Sequence, residues 1–282
     1  MAAPRRDTRG IVDAAGLFTR VRFRRREPAP ALRPYLEHYW LIDWDLDEPY
    51  ASHVVPHPSV NVVFHRPDAA SRPFAEVAGI RDDLFVQKLA GRGRVAGAQF
   101  RPGGFRPFSP ARPVSYWTGR QVPLAEAMPV RDDDIGAVLG PGGEDERVTA
   151  LDTYLLDVLT AGGGGDRGGD RTAAPAAQAM DLADLVRHDR SMRRVDRLSE
   201  AAGLSPRSLQ RLFGAYVGVG PKWVILRYRI HEALERAEAG GPSGAVDWPA
   251  LAAELGYSDQ AHLVRDFTAT VGVPPTAYAR RV

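Results

Sequence analysis

The chain has 282 residues, of which 44% are hydrophobic and 26% charged, enough for two domains with cores of their own. The formal net charge is +2 and there is no cysteine. That composition excludes a disulfide scaffold, a thiolate-held metal or iron–sulfur centre, and any thiol nucleophile, including the acceptor of a DNA-alkyl-damage protein. No apolar run reaches the roughly 18 residues of a membrane-spanning helix. The basic N-terminus lacks the continuous apolar stretch of a signal peptide, so the expectation is a soluble cytoplasmic protein that contacts no membrane.

Residues 1–19 read as an N-terminal arm. From 20 to 130 the chain reads as short strands and turns. Tyr39–Trp44, Val60–Phe64, Leu84–Val86 and Val95–Phe100 are rich in aromatic and β-branched residues, and Pro, Gly and Asp clusters separate them. The pattern predicts a small antiparallel sandwich or barrel. Trp40, Phe64, Phe100 and Trp117 are candidates to line an effector pocket in it. His53, His57 and His65 invite a metal reading, but a strand sets residues four apart at about 13 Å, too far to share one ion. No metal site, no cofactor and no catalysis are expected. The turn Arg101-Pro102-Gly103-Gly104 offers a weak anion cradle or a plain tight turn.

Residues 131–161 are acidic. There Val148, Leu151, Leu155 and Val158 fall at helical spacing and form one apolar stripe. The stripe must be buried, against a second copy as a dimerisation helix or against the chain's own N-terminal domain. A Gly-rich linker, 162–176, follows.

From 177 onward the chain reads as helical. Pro221–Ala239 is a rod of nearly 30 Å at about 1.5 Å per residue, opened by a proline in its first turn. An internal repeat flanks it. Gly203 aligns with Gly256 at an offset of 53, and Phe213, Gly218 and Pro221 align with Phe267, Gly272 and Pro275 at an offset of 54. Each copy reads as helix, tight turn, helix. Gly203 and Gly256 supply the left-handed turn residue, and Ser205 and Ser258 the N-cap oxygen. The outward face of the first copy carries Arg207, Ser208, Gln210 and Arg211. That of the second carries Gln260, His262 and Arg265. Arg and Gln can pair bidentately with guanine and adenine edges, and a helix-turn-helix presents its second helix to the major groove. Charge is unequal between the copies: 186–231 holds 10 basic and 3 acidic residues, net +7, and 232–282 holds 4 and 7, net −3.

The text Gly-Leu-Ser-Pro-Arg-Ser-Leu-Gln-Arg-Leu-Phe at 203–213, Val-Gly-Val-Gly-Pro-Lys at 217–222, Gly-Tyr-Ser-Asp-Gln-Ala-His-Leu-Val-Arg-Asp-Phe at 256–267 and Gly-Val-Pro-Pro-Thr-Ala-Tyr at 272–278 resembles the DNA-binding domain of the AraC/XylS transcription regulators. The resemblance implies a seven-helix domain, 177–282, with two recognition helices in successive major grooves. It places Arg207, Gln210 and Arg211, then Gln260, His262 and Arg265, on the DNA-contacting faces. Ser199 stands where that family usually has Ala. Residues 20–130 resemble, more loosely, the cupin-like sensor domain of some such regulators, through Tyr39-Trp40, the run from Val55 to Phe64 and the run from Gly97 to Phe105. The implied fold class is α+β in two domains, a cupin-like β-barrel followed by an all-α domain. The implied protein is a bacterial, sequence-specific regulator with promoter DNA, RNA polymerase, a small-molecule effector and a homodimer mate as its partners. A cupin-type enzyme with a DNA-binding tail is the alternative.

Overall fold

A computed structural model describes residues 10–68, 70–163, 173–240 and 246–280. A short helix α1 (Ala14–Phe18) leads into β1 (Val21–Arg26), followed by β2 (Leu36–Val54), β3 (Asn61–Arg66), β4 (Phe74–Ala78), β5 (Phe85–Phe100) and β6 (Gln121–Pro123). They form one antiparallel sheet in the order β1-β2-β5-β3-β4-β6. The expected barrel is therefore an open sheet, with β1 and β6 as separate edges. β6 is three residues long and ends in Pro123, which has no N–H to donate, so it offers little ladder for closure.

The two faces of the sheet have different fates, because successive side chains point to opposite sides. Tyr39, Leu41, Phe64, Ala96, Ala98 and Phe100 face the main core. Trp40, Ile42, Trp44, Val63 and Val95 face the other way, toward α1 and a smaller apolar cluster. Gly97 pairs with Trp40, and a Cβ at Gly97 would lie 2.1 Å from the Trp40 ring. A glycine there makes room for the indole on the second face.

Two helices cover the first face: α2 (Asp132–Leu139) and α3 (Glu144–Gly163). The stripe Val148, Leu151, Leu155 and Val158 is buried in the chain's own core with Phe64, Phe100 and Tyr154. α3 is held to the sheet by an ion cluster. The Arg147 guanidinium, 3% exposed, donates to both Asp43 oxygens at 3.1 Å and to the Val138 carbonyl at 3.2 Å. Arg24 also bonds Asp43, Arg94 approaches it at 3.3 Å, and Glu144 receives Arg24 at 2.7 Å and Arg26 at 2.8 Å. These cross-strand and strand–helix pairs account for a strand as basic as Val-Arg-Phe-Arg-Arg-Arg.

The C-terminal part consists of α4 (Ala173–His188), α5 (Val195–Ala202), α6 (Pro206–Tyr216), α7 (Pro221–Gly240), α8 (Trp248–Glu254), α9 (Gln260–Val271) and α10 (Pro275–Ala279). Those are seven helices among the described residues. Of the expected linker, 164–172 lie outside the described residues; 162–163 belong to α3 and 173–176 to α4. Leu198, Leu209, Phe213, Val217, Val219 and Val224 share the main core with the sheet domain. The second motif centres on a separate cluster, in which Leu251, Leu255, Leu263 and Phe267 pack with Ile230, Leu234 and Tyr278 and which Val12 and Val55 of the N-terminal part join.

Candidate nucleic-acid interface

Each motif is built as its sequence requires. Gly203 ends α5 in the left-handed region at φ +63°, and Gly256 turns between α8 and α9 at φ +74°. The Ser205 hydroxyl caps α6 by accepting the Ser208 N–H at 3.2 Å, and Pro206 occupies the first turn. In the second motif the cap differs from expectation. Asp259 is the N-cap, accepting the His262 N–H at 2.7 Å, while the Ser258 hydroxyl donates to Asp259 at 3.2 Å. A carboxylate one position closer to the helix reaches the orphan N–H that the serine was expected to take. That hydrogen bond holds the Asp259 carboxyl below the usual carboxylate range.

The inward faces of α6 and α9 bury Leu209 and Phe213, and Leu263, Phe267 and Val271. On the outward faces Arg207, Gln210 and Arg211 are exposed and Ser208 is half-buried, accepting from Arg211 at 3.4 Å. Gln260 and Arg265 are exposed, and His262 is half-buried, 3.5 Å from Asp266. The two faces therefore present basic and amide donors at the surface. The second also presents Asp259 and Asp266, which oppose an approaching phosphate.

The four aromatic pocket candidates divide by sheet face. Trp40 lines a cavity of about 240 Å³ on the second face, beside Ile42, Trp44, Val63, Leu89 and Val95. Its indole N–H donates to Asn61 at 3.2 Å. Phe64, Phe100 and Trp117 are buried in the main core. Trp44, two residues beyond Ile42 in the alternation that begins at Trp40, lines the same cavity. Arg187 and Glu37, paired at 2.9 Å, line the cavity, so α4 contributes to its wall. His65 lies 3.0 Å from Glu76, and His57 sits 2.8 Å from Ser59. Among the described residues no three metal-binding side chains converge. The Arg101–Gly104 turn packs on α4: a Cβ at Gly103 would lie 2.9 Å from Met180, and Arg101 pairs with Asp184.

The sheet domain touches both motifs. Thr118 donates to the Gly218 carbonyl at 2.9 Å, just after α6. Arg227 on α7 donates to the Asp82 carbonyl at 3.1 Å. A Cβ at Gly272, just after α9, would lie 3.4 Å from Leu84. Asp82 and Leu84 belong to the β4–β5 loop, which reaches across the helical domain.

Two family models match the chain. A domain of unknown function (DUF6597) matches residues 24–123, and a helix-turn-helix domain matches residues 198–281. No curated protein matches. Similar solved structures include an apo ToxT variant from Vibrio cholerae, 13% identical with a TM-score of 0.43 over 90% of this chain and 98% of that one. Another is wild-type ToxT from Vibrio cholerae bound to an unsaturated fatty acid, 11% identical with a TM-score of 0.39 over 91% and 98%. No helix among the described residues is long and apolar enough to cross a membrane.

Proposed function

We propose that this chain, whose residues 198–281 match a helix-turn-helix domain, is a DNA-binding transcription regulator of the AraC type and that its two motifs read one operator unequally. The first motif supplies most of the affinity, through Arg207, Gln210 and Arg211. The second, through Gln260, His262 and Arg265, adds less. The observation that carries this is the charge of the segment that holds each face: net +7 over 186–231 against net −3 over 232–282. Phosphate neutralisation dominates the salt-dependent part of binding, so that part belongs to the first motif. The protein acts in the cytoplasm on promoter DNA with RNA polymerase as its downstream partner, and performs no catalysis.

The test is selection of the full chain against a random duplex library, followed by titration of variants on the enriched sequence at several salt concentrations. Arg211→Ala is expected to cost about 1–3 kcal/mol and to lower the salt slope or relax one base position. Arg265→Ala is expected to cost less. An equal or larger loss for Arg265→Ala overturns the unequal division, and a library that yields no enriched sequence overturns operator reading altogether.

The cavity beside Trp40 is the proposed effector site. Its walls are largely apolar, with Asn61, His65, Glu76 and the Arg187–Glu37 pair among the polar groups, so it fits a small, largely apolar molecule with a polar end. A compound that binds only the folded chain raises its stability by about 2.7 kcal/mol at 100 times its Kd. Compounds that raise the melting temperature of the wild-type chain are expected to lose that effect on Val63→Phe, which fills the cavity. Retention of the shift in Val63→Phe would place the ligand elsewhere.

A further inference from the structure

Resting on the two-motif reading of DNA, we propose that Arg229 is the positioning residue that fixes the spacing of the two recognition helices. Arg229 lies midway along α7 and is half-buried. Its guanidinium donates to the Arg193 carbonyl, in the segment that leads from α4 into the first motif. The same guanidinium reaches the Gly256 carbonyl at 3.5 Å, in the turn of the second motif. It also lies over the Tyr257 ring at 5.5 Å, and that ring packs edge-on against His262 at 5.1 Å. One side chain thus joins the entry of the first motif to the turn and the contact face of the second.

The Arg193 side chain completes the clasp from the other side. It lies across Gly256, with its Cδ 2.8 Å from where a Cβ would stand, and donates to the Ala253 carbonyl at 3.5 Å and the Arg190 carbonyl at 2.6 Å. Gly256 is thereby required twice, for its left-handed φ and for the close approach of Arg193. A parallel ladder of ions, from Arg190 to Glu232 at 2.8 Å and from Arg236 to Glu254 at 3.6 Å, runs along the same three elements. That ladder is solvent-exposed and contributes little. Arg229 differs, because its partners are backbone carbonyls and its planar fork reaches two of them at once. Lysine, a point charge on a flexible stem, cannot make that bridge. α7 joins the motifs along one line; the Arg229 clasp, with Arg193 beside it, ties the turn of the second motif to the entry of the first and so resists twist between them.

The experiment uses the full chain and the duplex it selects. Inserting one base pair between half-sites turns one against the other by about 35°. For the wild-type chain this is expected to weaken binding by about tenfold or more, within the range of a lost specific contact. For Arg229→Ala and Arg229→Lys the same insertion is expected to cost about threefold or less, with affinity for an isolated first half-site unchanged. A wild-type spacing penalty in the folded variants overturns the proposal, as does a uniform loss on every half-site, which would mark a phosphate contact instead.

A second readout needs no DNA. The chain has no cysteine, so Glu200→Cys and Ala269→Cys, both at exposed positions, carry spin labels cleanly. Arg229→Lys is expected to broaden the distance distribution between them. An unchanged distribution overturns the proposal even if no operator is found, which separates its failure from failure of operator reading.

Discussion

Replacing Leu151 and Leu155 by lysine unfolds the chain and does not merely part a dimer. Both leucines are 0% exposed on α3, packed against the sheet face that carries Phe64 and Phe100. Truncating a buried leucine to alanine costs about 2–5 kcal/mol, because the packing contacts are lost and the cavity closes only in part. Lysine adds an ammonium that has no partner in an apolar layer, which raises the cost further. Against a total stability of about 5–15 kcal/mol the double replacement leaves no folded population. Circular dichroism and light scattering read the outcome. A folded variant of half the native mass would return the stripe to a dimer interface.

Asp43→Ala is expected to remove about 3–5 kcal/mol, because it strands the buried Arg147 guanidinium without its carboxylate. Burial alone would raise the Asp43 carboxyl, but the hydrogen bond from Arg24 and the charges of Arg147, Arg24 and Arg94 outweigh it and hold the group below its ordinary value. A carboxylate depressed in the folded state contributes stability that is complete above the unfolded value and is lost as pH falls through the folded one. Acid unfolding of the native chain below about pH 4 therefore contains a component that Asp43→Ala lacks. Urea titrations at neutral and acid pH measure both effects. Arg147→Met on the Asp43→Ala background is expected to recover part of the loss, since the uncompensated charge is then gone. A neutral-pH loss near zero for Asp43→Ala would mean that water, not the carboxylate, satisfies Arg147.

The helical half was legible because its signals are local. Gly203, Gly256, Ser205, Pro206 and Pro221 each act within one turn of chain, and the repeat doubles the turn glycine and the serine at an offset of 53 and Pro221 at 54. Ser258 misled for the same local reason: two adjacent side chains can each cap, and the carboxylate of Asp259 takes the site. The sheet was harder. Tyr39–Trp44 lies in the first half of the 19-residue β2, and Val95–Phe100 is the last part of the 16-residue β5. The polar and glycine-containing remainder of each strand is held by pairing across the sheet, which leaves no hydrophobic trace in the sequence. β1 was missed outright, because its arginines are stabilised by Asp43, Glu144 and Asp145, the last two more than a hundred residues away. The pocket aromatics were named as a type, but only register decides which face each takes. Phe64 stands opposite Ala96, on the core side, and Trp40 opposite Gly97, on the cavity side.

The division of the cores bears on how such a chain can be recombined. Leu209, Phe213, Val217 and Val219 share their packing with Val114 and Ile80 of the sheet domain, whereas Leu263 and Phe267 pack in a second cluster that the N-terminal part joins through Val12, Val55 and Leu84. A chimera joined at the glycine run would tear the first motif from the sheet-domain part of its hydrophobic surroundings. Grafting a foreign second motif onto this chain instead calls for a joint within α7, before Ile230, where the apolar contacts pass from one cluster to the other. The unit of exchange is then a half-domain of about fifty residues, and a graft at that joint must also refit the contacts of Val12, Val55 and Leu84 with the second cluster.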